Sequence, residues 1–271
     1  MASATEGVGI EIRGEVTRQR ESTIGRLIAL AAAIHCPVKI SSQTEAASEG
    51  ADSAHAKERG DTVRKIDVVM PWRAQPDRIA AYDRVTEFWI RNGFNVITAD
   101  SNRKEPFSLP RARNNAVSKA TSDVVIVADA DTLPDLGRVF EALANPVGVT
   151  WPFTFYHHVP GSYVNASDLF AAPPDQTYKN SVGGLFVTTR ETYWALGGQD
   201  ERFEPCWGYE DNAFHAVART LSSVQRTKGT VFSFNHAAER DLSPANPNRH
   251  RMELYKFAMG KPEVMRELIK R

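Results

Sequence analysis

The chain has 271 residues, and 33 Lys plus Arg balance 33 Asp plus Glu, so its formal charge at neutral pH is zero. That balance excludes a protein whose whole surface binds polyanions, because counterion release needs a net basic face. With 42% hydrophobic and 24% charged residues, the chain is neither disordered nor fibrous in type and has room for one large domain or two small ones.

The first 64 residues differ from the rest. Thr23 to His35 places Ile24, Leu27, Ile28 and Ala31 at helical spacing behind Ser22 as N-cap, and Pro37 ends the run. From Ser41 to Arg64 the chain is rich in Ser, Ala, Glu and Gly without a periodic apolar face, which reads as a linker. The longest apolar run, Leu27 to Ile34, is far below the roughly 20 residues that span a bilayer, so no membrane span is expected. Glu6, Glu11, Glu15 and Glu21 stand where a secretory leader would be basic, so a cytoplasmic location is expected. Cys36 and Cys206 lack C-x-x-C spacing and are read as reduced thiols.

From Ile66 strands and helices alternate. Ile66 to Met70 is a short strand ending at Pro71, and Ile79 to Ile90 is an amphipathic helix closed by Asn92-Gly93. Phe94 to Thr98 is a second strand that ends at Asp100. Beyond a basic loop, Arg111 to Ala120 reads as a helix, and Asp123 to Ala128 is apolar on both faces, as a buried parallel strand requires. This order predicts an open α/β sheet with ligands at the carboxyl ends of the strands. Those ends are Pro71-Trp72-Arg73, Asp100-Ser101 and Asp129-Ala130-Asp131. Later, Val182 to Thr188 and Thr230 to Phe234 read as strands and Asp211 to Thr220 as a helix. The aromatic, Pro-containing stretch from Trp151 to Tyr178 reads as a loop over a site and a candidate acceptor wall.

Three constellations carry chemistry. In Asp129-Ala130-Asp131, residues i and i+2 at a strand end point to the same side, so both carboxylates can approach one hard cation. In Trp207-Gly208-Tyr209-Glu210-Asp211-Asn212, the acids stand at a helix N-terminus, where capping explains them fully. The chemical alternative is a general base beside an aromatic platform for a sugar ring. His236 lies just beyond an apolar strand. As a third ligand it would favour manganese over magnesium, because imidazole suits the later metals.

Val68-Val69-Met70-Pro71-Trp72-Arg73, Arg111-Ala112-Arg113-Asn114-Asn115-Ala116, Asp129-Ala130-Asp131, Gly183-Gly184, Gly197-Gly198-Gln199-Asp200-Glu201 and Trp207-Gly208-Tyr209-Glu210-Asp211 occur in the order seen in one family. Together they resemble GT-A-fold glycosyltransferases, most of all the carboxyl-terminal part of β-1,4-galactosyltransferase-like enzymes and bacterial family 2-type relatives. The resemblance covers about Ile66 to His236. It implies an α/β fold with a Rossmann-like open mixed sheet flanked by helices over residues 65–239, preceded by the helix and linker of 1–64 and succeeded by a basic helical tail, 240–271, packed on the domain.

The resemblance also implies site roles. Pro71, Trp72 and Arg73 would line a nucleotide pocket, Asp100 would meet uracil or ribose, and either Arg111 or Arg113 would face the donor. Asp129 and Asp131 would form the D-x-D pair, with Asp131 the direct metal ligand and His236 a further one. Gly183 and Gly184 would let backbone approach the donor sugar. Trp207 would stack on the acceptor, Glu210 would bind it, and Asp211 would be the base of an inverting transfer. The family's W-G-G-E-D-D reads W-G-Y-E-D-N here, so Tyr209 joins the acceptor residues and leaves acceptor identity open.

The implied reaction moves a hexosyl unit from a UDP-sugar to a saccharide or other hydroxyl acceptor, with manganese or magnesium bound. Two alternatives stand beside it: a non-catalytic nucleotide-sugar or glycan-binding module, and a transferase acting on a nucleic-acid base or a protein. Charge is patterned accordingly. Residues 101–119 hold five bases and one acid, whereas 123–135 hold four acids and no base. Residues 196–215 hold five acids and one Arg, and 240–271 hold eight bases and four acids.

Overall fold

A computed structural model of the chain describes residues 66–236 and 243–270. The expected helix over 23–35, the linker over 41–64 and Cys36 lie outside the described residues. By compactness, residues 65–271 form one unit.

The larger sheet has six strands. Its first half is the expected α/β pattern: β1 (Asp67–Pro71), α1 (Ile79–Arg91), β2 (Asn95–Ala99), α2 (Leu109–Lys119) and β3 (Val124–Ala128), with β1 parallel to both β2 and β3. The α2 helix starts two residues earlier than the sequence suggests. Ser108 caps it, and Pro110 sits in the first turn, where a missing N–H costs nothing.

Beyond β3 come β4 (Thr132–Pro134), α3 (Leu136–Ala144) and β5 (Val149–Trp151), then β6 (Phe155–Val159), a 3-10 turn (Gly161–Asn165) and β7 (Gln176–Lys179). The stretch from Trp151 to Tyr178, expected to be a loop, is therefore built around two paired strands. With β10 (Thr230–Phe234) and β4 they form a second sheet, ordered β4-β10-β6-β7. Trp151 and Phe153 are buried in the core rather than lining a wall, because β5 is buried along its whole length between two other strands of the larger sheet and the chain stays inside as it leaves it. Phe155, Phe170 and Tyr178 stay exposed.

β8 (Leu185–Thr189) inserts antiparallel between β3 and β5, with Ala128 opposite Leu185. That reversal matters for the site. An antiparallel neighbour brings its amino end to the carboxyl end of β3, so Gly183 and Gly184 arrive beside Asp129, whose N–H donates to the Gly184 carbonyl at 2.8 Å. α4 (Arg190–Ala195), α5 (Glu210–Leu221) and β9 (Val224–Arg226) complete this part, and the six-stranded sheet runs in the order β2-β1-β3-β8-β5-β9.

At the opposite end, buried Asp67 accepts hydrogen bonds from Asn95 Nδ2 and from the Thr121 and Ser122 N–H groups. Those bonds tie β1, β2 and the entry to β3 together, which fixes the strand ends relative to one another.

The C-terminal residues belong to the same unit. α6 (Pro247–Ala258) and α7 (Pro262–Ile269) bury Met252, Tyr255, Ala258 and Met265. They also hold the loop before α5: Tyr255 Oη donates to Asp200 at 2.7 Å, Asn246 Nδ2 to the Trp207 carbonyl at 3.0 Å, and Asn248 Nδ2 to the Glu204 carbonyl. The basic side chains here are largely matched, with Lys256, Arg266 and Lys270 each pairing with a Glu three residues before it. No helix of the described residues is long and apolar enough to cross a membrane.

Candidate active site at the carboxyl ends of the strands

Arg113 is the hub. Its side chain is 2% exposed, yet it carries full charge, and a buried cation persists only where counter-charges surround it. Nη2 donates to Asp129 Oδ1 at 2.7 Å and Nη1 to Asp211 Oδ1 at 2.5 Å. The guanidinium fork thus joins the end of β3 to the start of α5. Burial disfavours its charged form, but the Asp211 and Asp129 carboxylates outweigh that and hold its pKa well above the ordinary value. Arg111, two residues earlier, points elsewhere and pairs with Glu105 and Glu201 near the surface. Of the two arginines, Arg113 is the one in the site.

Glu210 stands next to Asp211 at the α5 N-terminus, and its pKa is pushed up to about 7. Burial is the main cause, then the neighbouring Asp211 charge, with Arg113 opposing both. Gly183 borders the same carboxylate so closely that a Cβ there would lie 2.7 Å from Asp211 Oδ2. At Gly184 a Cβ would lie 2.5 Å from the Tyr156 ring, and its φ of +91° also requires glycine. Tyr209 itself is left-handed, at φ 76°, directly after Gly208 at φ 105°. An αL conformation costs a side chain about 1–3 kcal/mol, and such outliers cluster at functional sites. Trp207, 43% exposed, stands just before this turn.

The second acid of the D-x-D pair faces a different group. Asp131 Oδ2 lies 3.1 Å from His236 Nε2 and 3.0 Å from Arg78 Nη2. Burial works to raise its pKa, but the His236 hydrogen bond and the Arg78 charge prevail and hold it below the usual carboxylate range. Burial pushes Asp129 the other way, upward, with Arg113 opposing. The three residues expected at one cation, Asp129, Asp131 and His236, therefore do not form one donor set. Among the described residues no cluster of three or more His, Cys, Asp or Glu is placed to hold a metal. The reason is charge matching: buried Arg113 draws Asp129 to itself. What remains is an oxygen and an imidazole nitrogen converging within 3.1 Å, with Arg78 already supplying positive charge at that oxygen. This chemistry fits a divalent ion that accepts mixed oxygen and nitrogen donors.

Pro71, Trp72 and Arg73 occupy the end of β1 as expected. Trp72 stacks on Tyr82 with ring centroids 4.2 Å apart. Arg73 is engaged within the protein: Nε and Nη2 donate to Asp100 at 2.7–3.0 Å, and Nη1 donates to the Glu105 carbonyl at 2.8 Å. It orders Asp100 at the end of β2 rather than presenting open donors. Arg78 joins the site without being among the residues expected from sequence. A signal for it exists, since a cation at the head of an amphipathic helix opposes the helix dipole and calls for another reason to be there.

Residues 168–239 match the family model described as the N-terminal domain of galactosyltransferase. The match spans Gly183, Gly184, Trp207, Tyr209, Glu210, Asp211 and His236. No curated protein matches the chain. Similar solved structures include a Drosophila β-1,4-galactosyltransferase 7 variant in complex with manganese, UDP-Gal and xylobiose, at TM-score 0.48 and 20% identity over 70% of this chain and 79% of that one. They also include GalNAc-T7 with UDP, GalNAc and Mn2+, at TM-score 0.45 and 14% identity over 76% and 53%. Glucosyl-3-phosphoglycerate synthase from Mycobacterium tuberculosis, with Mn2+, UDP and phosphoglyceric acid, is similar at TM-score 0.43 and 13% identity over 73% and 79%.

Proposed function

We propose that this chain, a glycosyltransferase by its galactosyltransferase segment, transfers a hexosyl unit from a UDP-sugar to a saccharide hydroxyl with inversion, using Asp211 as general base. One observation carries the reading: a single buried guanidinium joins Asp129, at the end of β3, to Asp211, at the start of α5. Donor and acceptor residues so joined are within reach of one reaction centre.

The chain's own groups act in concert. Asp211 accepts the proton of the attacking hydroxyl, and Arg113 aims that carboxylate through the contact to its Oδ1. Trp207 offers an exposed indole face to the acceptor ring, with Tyr209 and Glu210 at its edge. Arg73 orders Asp100 toward the base or ribose of the nucleotide, beside Pro71 and Trp72. Gly183 and Gly184 keep side chains out of the space for the donor sugar. Asp131 and His236 hold the divalent cation, manganese by preference and magnesium as the alternative. When bound, the ion offsets charge on the leaving diphosphate.

Asp211→Asn tests the base. Transfer should fall by about 10²-fold or more while manganese-dependent UDP binding, measured by calorimetry, stays intact. Unchanged turnover removes Asp211 from that role.

A further inference from the structure

The α1 helix begins against the usual chemistry. Its N-cap position is Arg78, which makes no side-chain cap, and its first turn holds no acid. Helix N-termini favour Asp, Asn, Ser or Thr there, and they repel cations by about 0.3–1 kcal/mol. The Arg78 guanidinium instead reaches 53 residues along the chain to Asp131 Oδ2, the oxygen that His236 also approaches. Its Nε is buried without a hydrogen-bond partner, so the group is only partly satisfied where it lies. Asp77, Arg78, Ala81, Asp131, Asn235 and His236 line one small cavity.

We propose that Arg78 is a resident counter-cation of the Asp131 and His236 site. It holds Asp131 in place before a divalent ion arrives, yields that oxygen to the ion, and then turns its guanidinium to the diphosphate. The inference rests on Asp131 and His236 being cation ligands. Two cations cannot share one carboxylate oxygen without repulsion, so ion and arginine compete. Freeing Arg78 from Asp131 is offset only when phosphate oxygens are present to receive its hydrogen bonds. Arg78 therefore couples ion binding to nucleotide binding, and the coupling is reciprocal.

The test is a titration of manganese, read by electron paramagnetic resonance, on the full chain and on Arg78→Gln and Arg78→Lys, with and without UDP. Arg78 is half-buried at a helix end, and circular dichroism checks the fold of each variant. Arg78→Gln should bind manganese alone about tenfold more tightly and UDP with manganese about tenfold more weakly, on the scale of one charge-assisted hydrogen bond. Arg78→Lys should lie between. Weaker binding of both ligands, or unchanged manganese binding, overturns the inference and leaves the metal reading standing. Absence of manganese binding to every form, the parent included, overturns the metal reading and this inference with it.

Discussion

Arg113 and Asp211 meet at 2.5 Å although 98 residues separate them in the chain. The contact spans the two halves of the unit, because α2 packs on β1 to β3 while α5 lies beyond the antiparallel β8. A second carboxylate, Asp129, shares the same guanidinium. Loss of this arginine strands two acids at once.

Arg113→Ala should lower the free energy of unfolding by about 3–5 kcal/mol, the usual cost of removing one partner of a buried ion pair. Urea unfolding measures it. Arg113→Lys keeps the charge but not the fork, so one ammonium cannot hold both acids in the same geometry. Its kcat should fall about 10²-fold through misplacement of Asp211, with the fold retained by circular dichroism. A lysine variant with parental kcat would show that the fork is not needed.

Gly183→Ala and Gly184→Ala should fail in different ways. The methyl at 183 meets Asp211 Oδ2 at 2.7 Å, so it moves the carboxylate and should reduce transfer about 10²-fold with little change in Tm. The methyl at 184 meets the Tyr156 ring at 2.5 Å and sits at positive φ, so its main effect should be on stability, a loss of about 1–3 kcal/mol. Parallel thermal melts and rate assays separate the two.

Glu210 gives stability a pH dependence. Its folded pKa of about 7 lies above the ordinary 4.5, so between those values the folded protein holds a proton that the unfolded chain releases. Stability from this group is complete below the lower value and is lost as pH rises through about 7. Glu210→Gln removes the ionisation. Relative to the parent it should gain on the order of 1–3 kcal/mol at about pH 8 and little at about pH 4. Urea midpoints at the two pH values check the sign, and a gain confined to acid pH contradicts it.

Trp207→Ala should cost only about 1 kcal/mol of stability, because the indole is partly exposed, at 43%, and lies outside the core. The acceptor KM should rise about tenfold, as expected for a lost stacking face, with UDP binding unchanged. An unchanged acceptor KM would place the acceptor elsewhere.

Much of this site is legible in the sequence because strand ends announce themselves. The apolar run from Asp123 to Ala128 has acids directly behind it, and a parallel strand delivers the residues at its carboxyl end to the ligand edge. Glu210 and Asp211 are equally visible as the start of an amphipathic helix. The choice between Arg111 and Arg113 is not legible. Two residues apart on a helix, they point to nearly opposite sides, and each has a basic side chain with polar neighbours. Only the packing of α2, which buries Ala112, Arg113, Ala116 and Val117, decides which one enters the site. The strands within 155–179 are equally illegible, because both lie in a small sheet whose pairing is long-range, and β7 has no buried residue to give it a period.

Local periodicity and turn chemistry act over a few residues, and they suffice for the order of strands and helices, the three acidic or basic strand ends, and the carboxylates at the head of α5. Tertiary packing was needed to decide that Asp129 serves Arg113, that Asp131 and His236 stand apart from it, and that Arg78 reaches Asp131. Those pairings cross 16 to 105 residues. They arise from the packing of α1 and α2 on the strands and from the need of each buried charge for an opposite one, and neither is written in any local stretch of chain.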